Sequence, residues 1–257
     1  YRNKAQIPVG AGLREELSLG FYAAHSHRII DCGECLLQPA VFASAVEAFR
    51  AWQRETHEDV YDEKTGRGHL RHLFLRLAES TGEVMACVVV NGNGVHNEPG
   101  LVEALRKNVP GLASVVVNSN RERTNVILGQ KCRTVWGKDH ITDTLCGLSF
   151  RISPLSFYQV NRRQAERLYG IAADFAALSG NETVLDLYCG AGTIGLSMAK
   201  DAGRVIGVEV VPQAVEDAKR NAAENGIGNA EFLCMDASKA ADMLKNRGEK
   251  PDVVILD

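Results

Sequence analysis

The chain has 257 residues, of which 45% are hydrophobic, and its formal net charge at pH 7 is −3. This length accommodates one large domain or two modest ones with ordinary hydrophobic cores. The negative charge argues against nucleic-acid binding through bulk charge, although it leaves room for a local basic groove. Because we find neither an apolar run of about 20 residues nor a secretory leader, we expect no membrane insertion and a cytoplasmic location.

The first part of the chain, residues 1–155, is predicted to be an α+β domain of mostly antiparallel strands. Two helical patterns, Pro39–Glu55 and Asn97–Asn108, interrupt a series of short β-branched and apolar runs. The predicted strands are 73–77, 84–90, 114–118, 125–128 and 132–136. The boundary to the next domain is expected near Ser153–Ser156.

The cysteines are read as reduced thiols, because seven of them are spread along the chain. Cys32 and Cys35 form a Cys-x-x-Cys pair, which supplies only two of the four ligands that zinc or an iron–sulfur cluster needs. Cys32 is expected to be a buried thiol. The remaining thiols that lie in apolar or strand-like settings are expected in cores: Cys87, Cys132, Cys146 and Cys234.

The basic residues of this domain allow two interpretations. They contact RNA phosphates, or they form a solvated surface, and the sequence favours neither. The two groups are Arg67, Arg71 and Arg76, and Arg121, Arg123, Lys131, Arg133 and Lys138. The histidines His25, His27, His69 and His72 lack a partner at metal-ligand spacing and are predicted at the surface or in loops.

Residues 156–257 alternate strand-like and helical runs, which is typical of a Rossmann-like α/β domain with a parallel sheet. Asn161–Leu178 is predicted to be a lead-in helix that packs on the sheet, with Ala165, Leu168, Tyr169, Ala172 and Phe175 at helical spacing. Pro212–Glu224 is a second helix, with proline near its start. Because the sequence begins without methionine and stops at the end of a predicted strand, we expect a fragment whose sheet is incomplete.

A glycine-rich turn follows the first strand of this domain, at Thr183–Gly195. Gly190 and Gly192 allow positive φ and close approach of backbone to a ligand. Asp186 precedes this turn, and the next apolar runs also end in acids, at Glu209, Asp236 and Asp257. Acidic strand ends suit a ligand with hydroxyl and ammonium donors and no phosphate, and S-adenosylmethionine is such a ligand.

A dinucleotide site is the alternative. Gly190-x-Gly192-x-x-Gly195 also fits the dinucleotide fingerprint, with Glu209 about 20 residues further on as a ribose acceptor. However, Asp186 lies before Gly190 where it would repel a pyrophosphate. We therefore favour S-adenosylmethionine over a nicotinamide or flavin dinucleotide.

Several segments together resemble the uracil-5-methyltransferases of ribosomal and transfer RNA. They are Tyr1–Gln6, Gly20–Tyr22 with Ser26 and His27, Asn125–Gly129, Ser156–Asn161 and Leu185–Thr193, of which Ser156–Asn161 is the most specific. The resemblance implies a central RNA-binding domain in residues 1–155 and the first half of the methyltransferase domain in 156–257. It also implies S-adenosylmethionine as cofactor, an RNA substrate with ribosomal favoured over transfer RNA, and a monomer.

The resemblance places four residues in contact with the cofactor: Gln159, Tyr188, Glu209 and Asp257. Thr193 and Asp236 are further candidates. Cys35 matches the fourth ligand of a [4Fe–4S] cluster that some relatives hold, whose other three cysteines would precede Tyr1.

In this family a cysteine thiolate attacks uracil C6, the activated C5 takes the methyl group, and a base removes the C5 proton. The resemblance places both nucleophile and base after Asp257, and Cys189 is rejected as the nucleophile because its neighbours place it under the cofactor. The fragment is therefore expected to be inactive by itself. A non-catalytic RNA-binding module and a dinucleotide oxidoreductase are the rival functions.

Overall fold

A computed structural model describes residues 1–12 and 17–256 of the chain. The chain divides into two compact units, Tyr1–Ile141 and Thr142–Asp257. This division falls earlier in the chain than the boundary expected near Ser153–Ser156. In the described ranges, no helix is long and apolar enough to cross a membrane.

The first unit is built on a mostly antiparallel sheet. Its described strands are β1 (Lys4–Ala11), β2 (Leu17–Tyr22), β3 (Ile29–Asp31), β4 (Leu70–Leu77), β5 (Val84–Val90), β6 (Leu112–Ser119) and β7 (Lys131–Gly137). They lie in the order β3-β2-β1-β4-β5-β6-β7. β5 and β6 are parallel because the crossover helix α2 (Glu98–Asn108) joins them.

One face of this sheet carries the main core. Helix α1 (Ala40–Thr56) buries the aromatic side chains of Phe42, Phe49 and Trp52, which join Leu73 and Leu75 of β4 in one hydrophobic cluster. Side chains alternate between the two faces of a strand, so His72 and Phe74 of β4 lie on the opposite face.

The segment Asn125–Leu128 is a loop, and its prediction as a strand was wrong. Ile127 and Leu128 pack against a buried cluster that contains Phe74 and Cys87. The side-chain amide of Asn120 donates to the backbone oxygens of Val126 at 2.7 Å and Ile127 at 3.0 Å. These carbonyls therefore have hydrogen-bond partners without a neighbouring strand.

Burial also corrects several expectations for single residues. Cys87 is buried as expected, whereas Cys132, Cys146 and Cys234 are exposed, and Cys32 is half-buried. His72 was expected at the surface or in a loop, but it is buried in β4.

The second unit contains a hairpin and a parallel sheet. β8 (Ile141–Leu145) and β9 (Leu148–Ile152) form the hairpin, with Cys146 and Gly147 at positive φ in its two-residue turn. The parallel strands are β10 (Thr183–Leu187), β11 (Arg204–Glu209), β12 (Ala230–Cys234) and β13 (Val253–Leu256), in the order β12-β11-β10-β13. The loops after β10, β11 and β12 lie at the same carboxyl edge, where ligands bind in open α/β sheets.

Four helices of the described chain connect these strands. They are α3 (Arg162–Ala176), α4 (Thr193–Met198), α5 (Pro212–Glu224) and α6 (Ala237–Asn246). In α3 only Ala165 and Tyr169 are buried, while Leu168 and Phe175, both predicted to face the sheet, are exposed. The helical spacing of apolar residues predicted the helix correctly. It also predicted that more of these residues are buried than the structure shows.

Candidate cofactor site

The glycine turn after β10 is formed by three residues in the left-handed backbone region. Tyr188 has φ +63°, Gly190 has φ +54° and Gly192 has φ +80°. Gly192 is the N-cap of α4, so the chain passes from strand to helix within five residues. A left-handed tyrosine is uncommon and tends to occur at functional sites. The turn leaves the Tyr188 side chain 61% exposed.

Asp186 lies beneath this turn, at the end of β10. The sequence predicts a ligand contact for this acid. Its side chain is buried, and its Oδ2 accepts a 2.9 Å hydrogen bond from the backbone N–H of Gly195. A Cβ added at Gly195 would lie 2.9 Å from the same oxygen. Asp186 therefore holds the first turn of α4 against the end of β10.

Glu209 is the acid at the end of β11, and it connects two loops. Its Oε2 accepts from the N–H of Gly190 at 3.2 Å, and its Oε1 accepts from the N–H of Val211 at 2.8 Å. A carboxylate hydrogen-bonded to backbone N–H groups is held in one orientation. Glu209 thus lies at the glycine turn.

The other predicted residues have different surroundings. Asp236 is the N-cap of α6. Hydrogen bonds from the Ser238 hydroxyl at 2.5 Å and from the Ser238 N–H at 2.9 Å lower the pKa of its carboxyl. The Thr193 hydroxyl lies 3.1 Å from the Tyr169 hydroxyl. Gln159 is half-buried in the loop before α3. Asp257 lies outside the described residues.

Cys189 lies inside the turn with a buried side chain. Burial raises the pKa of its thiol, and the charges of Asp186 and Glu209 raise it further. A cysteine nucleophile requires the thiolate form. The environment of Cys189 therefore opposes the chemistry of a nucleophile.

The sequence reasoning missed the polar side of α5. Asp217 and Asn221 lie within α5 and Asn225 is its C-cap, and their four-residue spacing places them on one side of the helix. Asp217 is buried, and its Oδ2 accepts from the Ser156 hydroxyl at 2.7 Å. This bond fixes Ser156, the first residue of the segment Ser156–Asn161, to α5.

Asn221 connects the hairpin to the glycine turn. Its Nδ2 donates to the backbone oxygen of Ala191 at 3.0 Å, and its Oδ1 accepts from the N–H of Arg151 in β9 at 2.9 Å. Asn225 makes a similar pair with Ser149, accepting at 2.8 Å and donating at 2.6 Å. The sequence contained a signal for this. Asp217, Asn221 and Asn225 are polar residues spaced at i, i+4 and i+8, and they interrupt the apolar side of an amphipathic helix.

Two arginines of the first basic group, Arg71 and Arg76, are buried within the first unit. Arg71 donates to the backbone oxygens of Asn120 at 2.7 Å and Glu122 at 2.8 Å. Arg76 is buried with its guanidinium over the Phe74 ring. The sequence left two roles open for these arginines, contact with RNA phosphates or a place in a solvated surface. Their burial fits neither role.

Some of the exposed basic residues are paired with acids. Arg133 forms an ion pair with Glu98, and Lys138 lies 2.6 Å from Glu83. These contacts reduce the positive charge that the second basic group offers to an RNA backbone.

Cys32 and Cys35 line a cavity of about 430 Å³ in the first unit. Across residues 1–12 and 17–256, no group of three or more His, Cys, Asp or Glu side chains is arranged to hold a metal ion. The described residues thus supply at most two thiols and do not complete a cluster site.

Comparison with known proteins agrees with this geometry. A family model described as "Methyltransferase domain" matches residues 178–257. Proteins named as uncharacterized RNA methyltransferases align with the whole chain at 45% identity in Caldanaerobacter subterraneus subsp. tengcongensis and 44% in Halalkalibacterium halodurans. The chain is homologous to these RNA methyltransferases. It spans 57% and 56% of their lengths.

A solved structure shows the same fold. The Pyrococcus abyssi tRNA (uracil-54, C5)-methyltransferase in complex with S-adenosyl-L-homocysteine matches with a TM-score of 0.72 and 28% identity. The match covers 90% of this chain and 54% of that structure's chain. The predicted Rossmann-like methyltransferase fold and the predicted relationship to RNA methyltransferases are therefore confirmed.

Proposed function

We propose that this chain binds S-adenosylmethionine at the carboxyl edge of the β10–β13 sheet and forms part of an RNA uracil-C5 methyltransferase. The observation that carries the proposal is the position of Glu209, which ends β11 and binds the Gly190 backbone while Tyr188 stays exposed. This arrangement provides an acid for a ribose diol and an aromatic ring next to a turn of open backbone.

The residues fit this cofactor. A Cβ placed on Gly190 would have no atom within 4 Å, so open space lies in front of the turn. Glu209 and Asp236 are acidic, which favours a ligand without phosphate. When bound, S-adenosylmethionine would supply an electrophilic methyl group. Tyr188, Gly190, Gly192 and Glu209 are proposed to hold it, with Gln159, Thr193, Asp236 and Asp257 as further contacts.

Asp186 has a positioning role in this proposal. Its carboxylate is buried on the Gly195 N–H and fixes the start of α4. The glycine turn can then keep its left-handed geometry without a bound ligand. Preorganisation of this kind lowers the ordering cost of binding.

The substrate proposal rests on the resemblance and on the relatives. The Ser156–Asn161 segment matches the uracil-5 family, and the Pyrococcus abyssi protein acts on a tRNA uracil. We propose uridine C5 in ribosomal RNA as the target, with transfer RNA as the alternative that this neighbour supports. The nucleophilic cysteine and the base are proposed to follow Asp257, and Cys35 remains a proposed fourth ligand of a cluster that would need cysteines before Tyr1.

Isothermal titration with S-adenosylhomocysteine and with NADH tests the cofactor proposal. We expect S-adenosylhomocysteine to bind and NADH not to bind. Glu209→Gln removes the negative charge while keeping the shape, and affinity should fall by about tenfold, which corresponds to about 1.4 kcal/mol. Glu231→Gln is the matched control, because Glu231 lies on β12 and pairs with Arg204 at 2.6 Å.

Equal affinities in the two variants would contradict the role of Glu209. Binding of NADH in place of S-adenosylhomocysteine would contradict the cofactor. The substrate is tested with a longer chain that continues past Asp257, by measuring transfer of a labelled methyl group to 23S rRNA and to tRNA. Label in tRNA alone would replace the ribosomal proposal with its alternative.

A further inference from the structure

The segment Ser156–Asn161 of the second unit alternates buried and accessible side chains. Ser156 and Tyr158 are buried, whereas Phe157 is exposed and Gln159 is half-buried. This alternation is typical of extended backbone, whose successive side chains point to opposite sides. Gln159 therefore follows directly after a residue that is anchored in the protein interior.

Tyr158 is anchored on a fully buried carboxylate. Its hydroxyl donates to Oδ2 of Asp143 in β8 at 3.2 Å. Burial raises the pKa of Tyr158, and the Asp143 charge raises it further, so the hydroxyl keeps its proton and stays a donor. The other Asp143 oxygen accepts from the Thr144 N–H at 3.0 Å and lies 3.9 Å from Nε of Arg162. The carboxylate is thus held through both of its oxygens.

The two elements beside this carboxylate are joined to each other. Arg162, at the start of α3, donates to the backbone oxygen of Thr144 in β8 and to Glu166 at 3.0 Å. Glu166 also accepts from the N–H of Cys146 in the hairpin turn at 3.2 Å. The hairpin and the first turn of α3 therefore form a fixed base for Asp143.

Burying a tyrosine and a carboxylate together has a cost that packing alone does not require. A buried carboxylate loses hydration free energy, which its partners return only in part, and an apolar pair of similar volume avoids this loss. Hydrogen bonds, in contrast, are directional, and a satisfied buried network specifies one arrangement. The pair between Asp143 and Tyr158 thus points to a requirement for precise placement of the adjoining backbone.

We propose that Asp143 and Tyr158 are positioning residues that fix Gln159 for contact with the cofactor. One anchor of the segment is Asp217, which binds Ser156. The other is Asp143, which binds Tyr158 immediately before Gln159. With two anchors two residues apart, the segment is ordered before a ligand arrives, which lowers the ordering cost of binding. The inference rests on the proposed function, in which Gln159 contacts S-adenosylmethionine.

A double-mutant cycle tests whether Tyr158 acts through Gln159. Isothermal titration measures the affinity for S-adenosylhomocysteine of wild type, Tyr158→Phe, Gln159→Ala and the double variant. Tyr158→Phe keeps the buried ring and removes only the hydroxyl, and it should weaken binding about 3- to 10-fold. In the Gln159→Ala background the same substitution should change affinity by less than about twofold, because the residue that it positions is gone.

Tyr22→Phe is the matched control for the loss of a hydroxyl. The Tyr22 hydroxyl also donates to a carboxylate, that of Glu63 at 3.4 Å, but it belongs to the first unit. Its affinity should stay within about twofold of wild type. Additive losses in the double variant, or wild-type affinity in either Tyr158→Phe or Gln159→Ala, would overturn the proposal.

A second measurement needs no ligand. Heteronuclear ¹H–¹⁵N NOE values of the side-chain amides are recorded for the 1–257 chain and for Tyr158→Phe. In wild type the Gln159 amide should be more rigid than that of the exposed Gln6, and Tyr158→Phe should remove this difference. A wild-type Gln159 amide as mobile as that of Gln6 would overturn the proposal without any variant, and so would an unchanged Gln159 value in Tyr158→Phe.

The two measurements separate this inference from the proposed function. If S-adenosylhomocysteine binds while Tyr158→Phe leaves both affinity and NOE unchanged, the positioning role fails and the cofactor proposal stands. If wild type does not bind S-adenosylhomocysteine, the cofactor proposal fails, and the NOE alone decides whether Tyr158 orders Gln159.

Discussion

Replacing Asn221 with alanine tests how α5 supports the cofactor site. The substitution removes a buried hydrogen bond to the Ala191 carbonyl at 3.0 Å and a partly buried one from the Arg151 N–H at 2.9 Å. A buried backbone group that loses its partner costs about 1–3 kcal/mol. We therefore expect the free energy of unfolding to fall by about 2–5 kcal/mol.

The same substitution should also weaken cofactor binding. Ala191 belongs to the glycine turn, and without the Asn221 amide this turn is no longer held in its ligand-free geometry. If about 1.4 kcal/mol of the loss falls on the turn, affinity for S-adenosylhomocysteine decreases about tenfold. Urea unfolding followed by circular dichroism measures the stability, and isothermal titration measures the affinity.

Asn229→Ala is the matched control for this experiment. The Asn229 amide donates to the backbone oxygens of Ala199 at 2.8 Å and Ala202 at 2.9 Å, which lie outside the glycine turn. It should reduce stability while leaving the affinity within about twofold of wild type. Equal affinity losses in the two variants, or an Asn221→Ala protein as stable as wild type, would refute the reasoning.

Three further substitutions follow from close contacts, helix propensity and burial. Gly195→Ala would place a Cβ 2.9 Å from Asp186 Oδ2 and 3.0 Å from Val205 Cγ1, and overpacking of this kind should cost about 1–3 kcal/mol in urea unfolding. Gly170→Ala has open space around its Cβ within α3 and should instead raise stability by about 0.5–1 kcal/mol; a decrease would contradict the helical role of Gly170. Folding lowers the pKa of His72 from its usual 6.5 to about 4, so the unfolded chain binds more protons than the folded chain between these pH values. The free energy of unfolding should therefore decrease by up to about 3 kcal/mol as pH falls from about 6.5 to 4. His72→Phe should flatten this slope in acid titrations, and an unchanged slope would contradict a neutral buried imidazole.

The sequence predicted the second unit well because its signals are local. The apolar runs that form β10–β13 end in acidic residues. Helix α5 begins at Pro212 and ends at Glu224, as expected. The glycine turn was found because Gly190 and Gly192 are needed for its positive φ. The coarse fold and the relationship to RNA methyltransferases were thus readable from the chain alone.

What the sequence could not give were properties set by tertiary contacts. Asn125–Leu128 has the composition of a strand, yet the Asn120 amide binds its backbone and makes it a loop. Here one side-chain hydrogen bond outweighs a local pattern, since propensity is a weak prior when tertiary contacts are strong. The bond between the buried Asp186 carboxylate and the Gly195 N–H is likewise a contact that the local pattern does not predict.

The four-residue spacing along α5 makes this helix sensitive to changes in chain length. Each residue inserted between Asp217 and Asn225 would turn the following side chains by about 100° around the helix axis. Asn225 would then leave Ser149 while Asp217 stayed on Ser156, and the two anchors could no longer be satisfied together. Homologous chains should therefore place insertions and deletions outside this helix, for example in the exposed turn at Gly226 and Gly228.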